Sequence, residues 1–204
     1  MTENDIDNLA WDKMDGLLPA VVQDDATGQV LMVGYMDRAA LAATLESGKV
    51  TFFSRSKQRL WIKGETSGNV LSLVSVMPDC DADALLVKAT PAGPTCHLGT
   101  PSCFGNEGAT GLAFLAQLSR VIDARAGDSP EGSYTARLLS GGREKIAQKI
   151  GEEGVEVALA AVTRDDDGLT DELADLAYHI AVLLKARGLG WDDIGERLRQ
   201  RHEA

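Results

Sequence analysis

Three cysteines, three aspartates and a histidine lie within 25 residues of each other in this 204-residue chain, as Asp79-Cys80-Asp81-Ala82-Asp83, then Cys96-His97, then Cys103. The cysteine spacing, Cys-x15-Cys-x6-Cys, is not that of a zinc finger. Three thiolates leave one position free on a tetrahedral Zn2+. An open position is the usual mark of a catalytic site, because a water there ionises near neutral pH. His97, beside a candidate ligand, is a candidate catalytic proton shuttle. In extended chain alternate residues face one side, so Asp79, Asp81 and Asp83 are expected to converge on a hard cation such as Mg2+. Cys80 would then project the other way, toward a softer metal. Inert buried thiols, a purely structural zinc site and a solvated acidic loop fit the same strings.

A second group of carboxylates lies further along. Glu153 and Glu156 are spaced i, i+3, Glu152 and Glu156 i, i+4, and Glu172 and Asp175 again i, i+3. On a helix such residues share a face. If two such faces meet, they form an all-oxygen Mg2+ cage, with Lys149, Lys145 and Arg143 near enough in sequence to hold phosphate oxygens. The alternative is an exposed acidic face. Against it, the acids are interleaved with Ile150, Val155, Val157, Leu173 and Leu176. Upstream, Ser54, Arg55, Ser56, Lys63, Thr66 and Ser67 supply hydroxyls and cations suited to phosphate or ribose binding.

Two kinds of scaffold must position these groups. Before about residue 108, β-rich runs at Val30–Val33, Val50–Phe53, Leu60–Ile62, Val70–Val76 and Ala84–Ala89 alternate with turn formers. A helix over Asp37–Ser47, capped by Asp37 and ended by Gly48, interrupts them. The pattern predicts a mainly antiparallel β domain with one helix packed on it. After residue 108 the period becomes helical. Leu112, Leu115, Leu118, Val121 and Ile122 form one stripe, Ile146, Ile150, Val157 and Ala161 a second, and Leu173, Leu176, Ile180, Leu183 and Leu184 a third. Trp191–Arg201 reads as a last helix, and Ala126–Gly142 as a loop. The expected fold class is α+β, with a β-rich domain over 1–108 and an all-α bundle over 109–204. A bundle of about 95 residues is small for a monomer, which points to a homodimer.

Net charge is −11. Binding to a nucleic-acid polymer needs a basic stripe, and none is visible. A divalent cation can nevertheless bridge an acidic site to a small phosphorylated ligand. No run approaches the ~20 apolar residues that span a membrane. The acidic start of the chain lacks the chemistry of a secretory signal, and an odd count of three cysteines is wrong for a secreted disulfide scaffold. A cytoplasmic location is expected.

Taken together, the strings resemble known families. W-D-K-x-x-G-L-L-P-A-V-V-Q-D at Trp11–Asp24, V-L-M-V-G-Y-M at Val30–Met36, F-F-S-R-S-K at Phe52–Lys57, L-W-x-K-G-E-T-S-G-N at Leu60–Asn69, D-C-D-x-D, and G-P-T-C-H-x-G-x-x-S-C-F at Gly93–Phe104 resemble phosphoribosyl-AMP cyclohydrolase. That resemblance implies hydrolysis of the N1–C6 bond of the adenine ring of phosphoribosyl-AMP, in histidine biosynthesis. It also implies Zn2+ on Cys80, Cys96 and Cys103, with ligands shared between two subunits, and Mg2+ on Asp79, Asp81 and Asp83. Leu98 stands where threonine is common. K-I-G-E-E-x-x-E-V at Lys149–Val157 and E-L-A-D-L-A-Y-H at Glu172–His179 resemble phosphoribosyl-ATP pyrophosphohydrolase, an all-α, MazG-like family whose acidic motifs bind Mg2+. The implied substrate is phosphoribosyl-ATP, so the two halves would perform consecutive steps. The rival expectations are a general nucleoside triphosphate pyrophosphohydrolase in the second half, or a structural-zinc scaffold with an acidic oligomerisation bundle.

Overall fold

In a computed structural model describing residues 1, 3–105 and 108–203, the chain divides into two units, Met1–Ala113 and Phe114–Ala204. Asn106 and Glu107, beside the expected boundary, lie outside the described residues. The first unit is strand-rich and the second all-helical, as the change of period implies.

The first unit is organised by β1 (Leu18–Asp24), whose side chains alternate between buried and half-buried. It pairs antiparallel with β2 (Val30–Met36) on one side and parallel with β6 (Leu85–Pro91) on the other. β6 in turn pairs antiparallel with β5 (Leu71–Pro78), giving the order β2-β1-β6-β5. β3 (Thr51–Ser54) and β4 (Arg59–Ile62) form a separate two-stranded hairpin. The mainly antiparallel expectation therefore needs one correction, the parallel β1–β6 pair. The run that became β1 was not among the expected strands. Its hairpin with β2 turns locally at Asp24–Gly28, but its parallel partner β6 is distant in sequence, so no local turn signal announces that pairing.

Helix α1 (Arg38–Ser47) has the expected ends. Asp37 accepts from the Ala40 N–H at 2.7 Å, and Gly48 takes the left-handed conformation with φ 66°. Its buried residues Ala40 and Leu41 join Leu18, Val22, Phe52, Leu71 and Val87 in one core.

The second unit contains α2 (Ala113–Arg125), α3 (Tyr134–Ser140), α4 (Gly142–Thr163), α5 (Asp166–Arg187) and α6 (Trp191–His202). Ile122, Leu138, Ile146, Ala181 and Val182 form its core. Helix α3 corrects the expected loop over 126–142. It is only two turns long, too short for a periodic stripe, and is fixed by the Ser133 cap and by burial of Thr135, Ala136 and Leu138. Leu112, Val121, Ala161 and Leu173, all assigned to core stripes, are exposed, and Leu112 precedes α2. Among the described residues no helix is long and apolar enough to cross a membrane.

Gly34 of β2 faces the fully buried Phe52, and a Cβ there would lie 2.3 Å from the ring. Gly34→Ala should therefore destabilise the first unit by about 1–3 kcal/mol, the usual cost of overpacking a core. Urea unfolding followed by circular dichroism should show an earlier transition; an unshifted curve would mean that the ring moves aside freely.

Candidate functional site

The D-C-D-x-D segment is the connection between β5 and β6. Asp79, Asp81 and Asp83 do converge, each offering a carboxylate oxygen within 4.8 Å of the others. The route is not the expected strand alternation. The segment is a tight turn with Ala82 at φ 60°, closed by the Asp79 N–H on the Ala84 carbonyl at 3.1 Å. Asp79 Oδ1 also accepts from the N–H groups of Asp83 and Ala84, at 3.0 and 3.2 Å. From outside the turn, Ala10 N–H donates to the Ala82 carbonyl at 2.8 Å. Lys13 lies 2.8 Å from Asp81 and 3.6 Å from Asp83, and its hydrogen bond holds the Asp81 carboxyl below its ordinary pKa. Three oxygen donors this close suit a hard divalent cation.

Cys96 and Cys103 belong to one loop. The Cys96 N–H donates to the Thr100 carbonyl at 3.0 Å, and the Cys103 N–H to Leu31 of β2 at 2.8 Å. The two thiols interact. Hydrogen bonds from the Leu98 N–H and from Thr100 depress the Cys96 pKa, whereas desolvation and the neighbouring Cys96 raise that of Cys103. A thiol stabilised as thiolate beside a second thiol suits a soft cation. His97 is exposed, with Nδ1 3.8 Å from Cys96 Sγ. Thr95 is buried, and its hydroxyl has no hydrogen-bond partner among the described residues. Cys80 is exposed on the acidic turn and is not gathered with the other two thiols within this chain.

The candidate substrate-binding residues of this unit lie on two segments, the Lys63–Asn69 turn and the end of β3. Gly64 has φ +87°, and a Cβ there would strike the Asn69 carbonyl at 2.3 Å, so the Lys63–Asn69 turn requires glycine. Asn69 packs against Gly93, where a Cβ would meet its Oδ1 at 2.5 Å. Thr66 and Ser67 on the turn are exposed, and the positive charge of Lys63 reaches Cys103. At the end of β3, the hydroxyls of Ser54 and Ser56 are 3.4 Å apart, and the Arg55 guanidinium lies 3.8 Å from the centre of the Tyr35 ring.

In the helical unit, Glu153, Glu156 and Glu172 each offer a carboxylate oxygen within 4.8 Å of the others. The packing of α4 against α5 thus brings three of the five expected acids together. Glu152 turns aside to Gln148 and Lys149, and Asp175 is exposed outside the trio. Lys149 sits 2.8 Å from Glu152 and 2.9 Å from Glu153; Arg164 pairs with Glu172. Glu153 and Glu172 are nevertheless buried. The hydrogen bond from Lys149 lowers the pKa of Glu153, while repulsion from Glu153, burial and repulsion from Glu172 raise that of Glu156. Arg143 and Lys145 are exposed, Lys145 reaching Gln148 at 3.3 Å.

Residues not assigned from the sequence complete this region. The buried His179 donates from Nδ1 to the Asp175 carbonyl at 2.8 Å, which leaves Nε2 to accept from the Tyr134 hydroxyl at 3.2 Å. Glu153 Oε1 is 3.8 Å from the same Nδ1. His179 ends a string singled out for its acids, yet nothing in the spacing distinguishes it from a core residue. Arg164 and Tyr134 carry no pattern at all.

Two family models match the chain, phosphoribosyl-AMP cyclohydrolase over residues 32–105 and phosphoribosyl-ATP pyrophosphohydrolase over residues 115–202. The chain is 55% identical over 202 residues to the histidine biosynthesis bifunctional protein HisIE of Photobacterium profundum, covering 97% of this chain and 98% of that protein. It is 56% identical over 203 residues to the protein of that name from Escherichia coli K12, with 100% of both chains covered. The Yersinia pestis protein of that name is 52% identical over 203 residues, covering 100% of this chain and 99% of its own.

At the α4–α5 contact, repulsion from Glu153, burial and repulsion from Glu172 raise the pKa of Glu156. Replacing it by the neutral isostere removes repulsion at little steric cost. In EDTA at neutral pH, Glu156→Gln should melt at a higher temperature than the wild type. If the trio binds Mg2+, adding the ion should narrow the gap, because only the wild type keeps all three carboxylates. A lower melting temperature for the variant in EDTA would rule out net repulsion at this position.

Proposed function

The chain belongs to the family of bifunctional histidine-biosynthesis hydrolases that join a phosphoribosyl-AMP cyclohydrolase to a phosphoribosyl-ATP pyrophosphohydrolase, and from that membership we propose how its two sites divide the work. The helical unit releases pyrophosphate from phosphoribosyl-ATP. The strand-rich unit then hydrolyses the N1–C6 bond of the adenine ring of phosphoribosyl-AMP. The boundary between the two functional domains is assigned to the segment near residues 108–109.

The observation that carries the assignment of sites is the convergence of one carboxylate trio in each unit. Asp79, Asp81 and Asp83 would hold Mg2+ in the first unit, and Glu153, Glu156 and Glu172 would hold it in the second, with Glu152 and Asp175 available to complete the cage. Cys96 and Cys103 would hold Zn2+ together with Cys80. When bound, zinc supplies Lewis-acid activation of a water, and magnesium neutralises phosphate charge. The protein's own groups bind, orient and move protons. Lys63, Thr66 and Ser67, with Ser54, Arg55 and Ser56, hold the phosphoribosyl group, and His97 passes a proton at the ring. Lys149 grips phosphate oxygens in the second unit.

A homodimer is part of this proposal. Val155, Leu159 and Val162 are 60%, 56% and 79% exposed, and their spacing puts them on one face of α4. Such an apolar stripe is unusual on a monomer and calls for cover by another surface. Cys80, apart from Cys96 and Cys103 within one chain, is then a ligand to be supplied by a second copy.

The test is to incubate the protein with phosphoribosyl-ATP and follow pyrophosphate and ring-opened product separately. Both should form. Cys96→Ser should lose bound zinc and ring opening while pyrophosphate release stays near normal, since a hydroxyl is a poor substitute for a thiolate. His97→Ala should keep zinc but slow ring opening by about 10²–10⁴-fold. A fully active His97→Ala protein would remove that imidazole from the reaction, and turnover of dATP in preference to phosphoribosyl-ATP would overturn the substrate assignment.

A further inference from the structure

The carboxylates between α4 and α5 do not face one another alone. Lys149 sits one turn ahead of Glu153 and reaches both Glu152 and Glu153, at 2.8 and 2.9 Å. Arg164 stands just beyond α4, extended rather than helical at φ −115° and ψ 169°, and its guanidinium returns to Glu172 across the start of α5. Gly168 makes room for that path. A Cβ at Gly168 would lie 3.0 Å from Arg164 Cδ and 3.1 Å from its Cβ, closer than packed side chains normally sit. The two acids held in this way, Glu153 and Glu172, are the buried members of the trio, whereas Glu156 is exposed.

We propose that Lys149 and Arg164 are counter-cations built into the pyrophosphohydrolase site: each holds a carboxylate in the cage, gives way to the divalent cation, and turns to the phosphate oxygens of the substrate. The inference rests on the Mg2+ cage assigned above. Its physical basis is competition for charge. A carboxylate oxygen that accepts from an ammonium or guanidinium group is less available to a metal, so each cation lowers the cage's affinity for a bare divalent ion. The same side chain, once released, is a donor of the right charge for a phosphate. One residue therefore acts in opposite directions on two ligands. A residue that merely supports the fold cannot do that, because its loss weakens both. The effect should be larger at Lys149, whose side chain is 24% exposed, than at Arg164, which is 52% exposed and better screened by water.

The experiment uses the full-length chain carrying Asp81→Asn, so that the aspartate trio of the other unit drops out of the titration. Calorimetry with Mg2+ alone should show tighter binding for Lys149→Gln and Arg164→Gln, by about two- to fivefold. With Mg2+ held in excess, inorganic pyrophosphate should bind Lys149→Gln about three- to tenfold more weakly. Lys149→Arg and Arg164→Lys preserve the charge and should leave Mg2+ affinity near that of the parent. They also test the proposal if a glutamine variant fails to fold, since loss of charge-preserving behaviour in either would overturn it. Weaker or unchanged Mg2+ binding in the folded glutamine variants would overturn it too. Glu156→Gln separates this failure from that of the cage itself. It should weaken Mg2+ binding, and if it has no effect, the cage assignment falls and the counter-cation proposal with it.

Discussion

Carboxylates brought within 4.8 Å of one another repel strongly unless something offsets their charge, and both trios in this chain are held beside cations that do so. Lys13 serves Asp81 and Asp83; Lys149 and Arg164 serve Glu153 and Glu172. Much of the local architecture follows from that requirement. The acidic turn after β5 is tied to Ala10, three residues before Lys13, so the stretch that carries the cation is anchored to the turn that carries the acids. In the helical unit the cation comes from either end of the arrangement. One lies a turn upstream on α4, and the other lies beyond its C-terminus, where a glycine leaves space for its stem. An exposed ion pair contributes little to stability. Its value here is to let neighbouring carboxylates stay close and oriented.

The thiol loop is held at both of its ends. Cys103 is tied to β2 through its N–H, and the Ser102 hydroxyl donates to the Val30 carbonyl at 2.8 Å, so the C-terminal end of the loop shares the rigidity of the sheet. The other end follows the Gly93 contact with Asn69 and is therefore coupled to the turn that carries Thr66 and Ser67. A side-chain amide wedged against glycine makes the two segments one body. Displacing either turn would disturb the other.

Local chemistry was legible in the sequence, and long-range geometry was not. Asp37 and Gly48 delimit α1 because capping depends on neighbours in sequence. The break in period separated a strand-rich unit from a helical one because side-chain spacing reports secondary structure directly. The convergence of Asp79, Asp81 and Asp83 was expected, but through strand alternation; a turn with Ala82 in the left-handed region delivers it instead. Alanine gives no advance notice of that conformation. Arg164 had no signal either, since its partner lies eight positions on and its route depends on the absence of a side chain at Gly168. Among the helical acids, i, i+3 spacing correctly implied a shared face, but the rotation of α5 against α4 decided that Glu172 entered the trio and Asp175 did not.

The parallel pairing of β1 with β6 has a consequence for how the chain is made. Ala20 meets Leu85 and Val22 meets Val87, so β1 gains its second neighbour only after most of the first unit has been synthesised. At about 5–20 residues per second, that leaves the β1–β2 hairpin with an open, apolar edge for several seconds. The segment that closes this edge emerges directly behind the acidic turn, because Asp79–Ala84 is the link between β5 and β6. Docking of β6 therefore completes the sheet and fixes both ends of the aspartate trio at once.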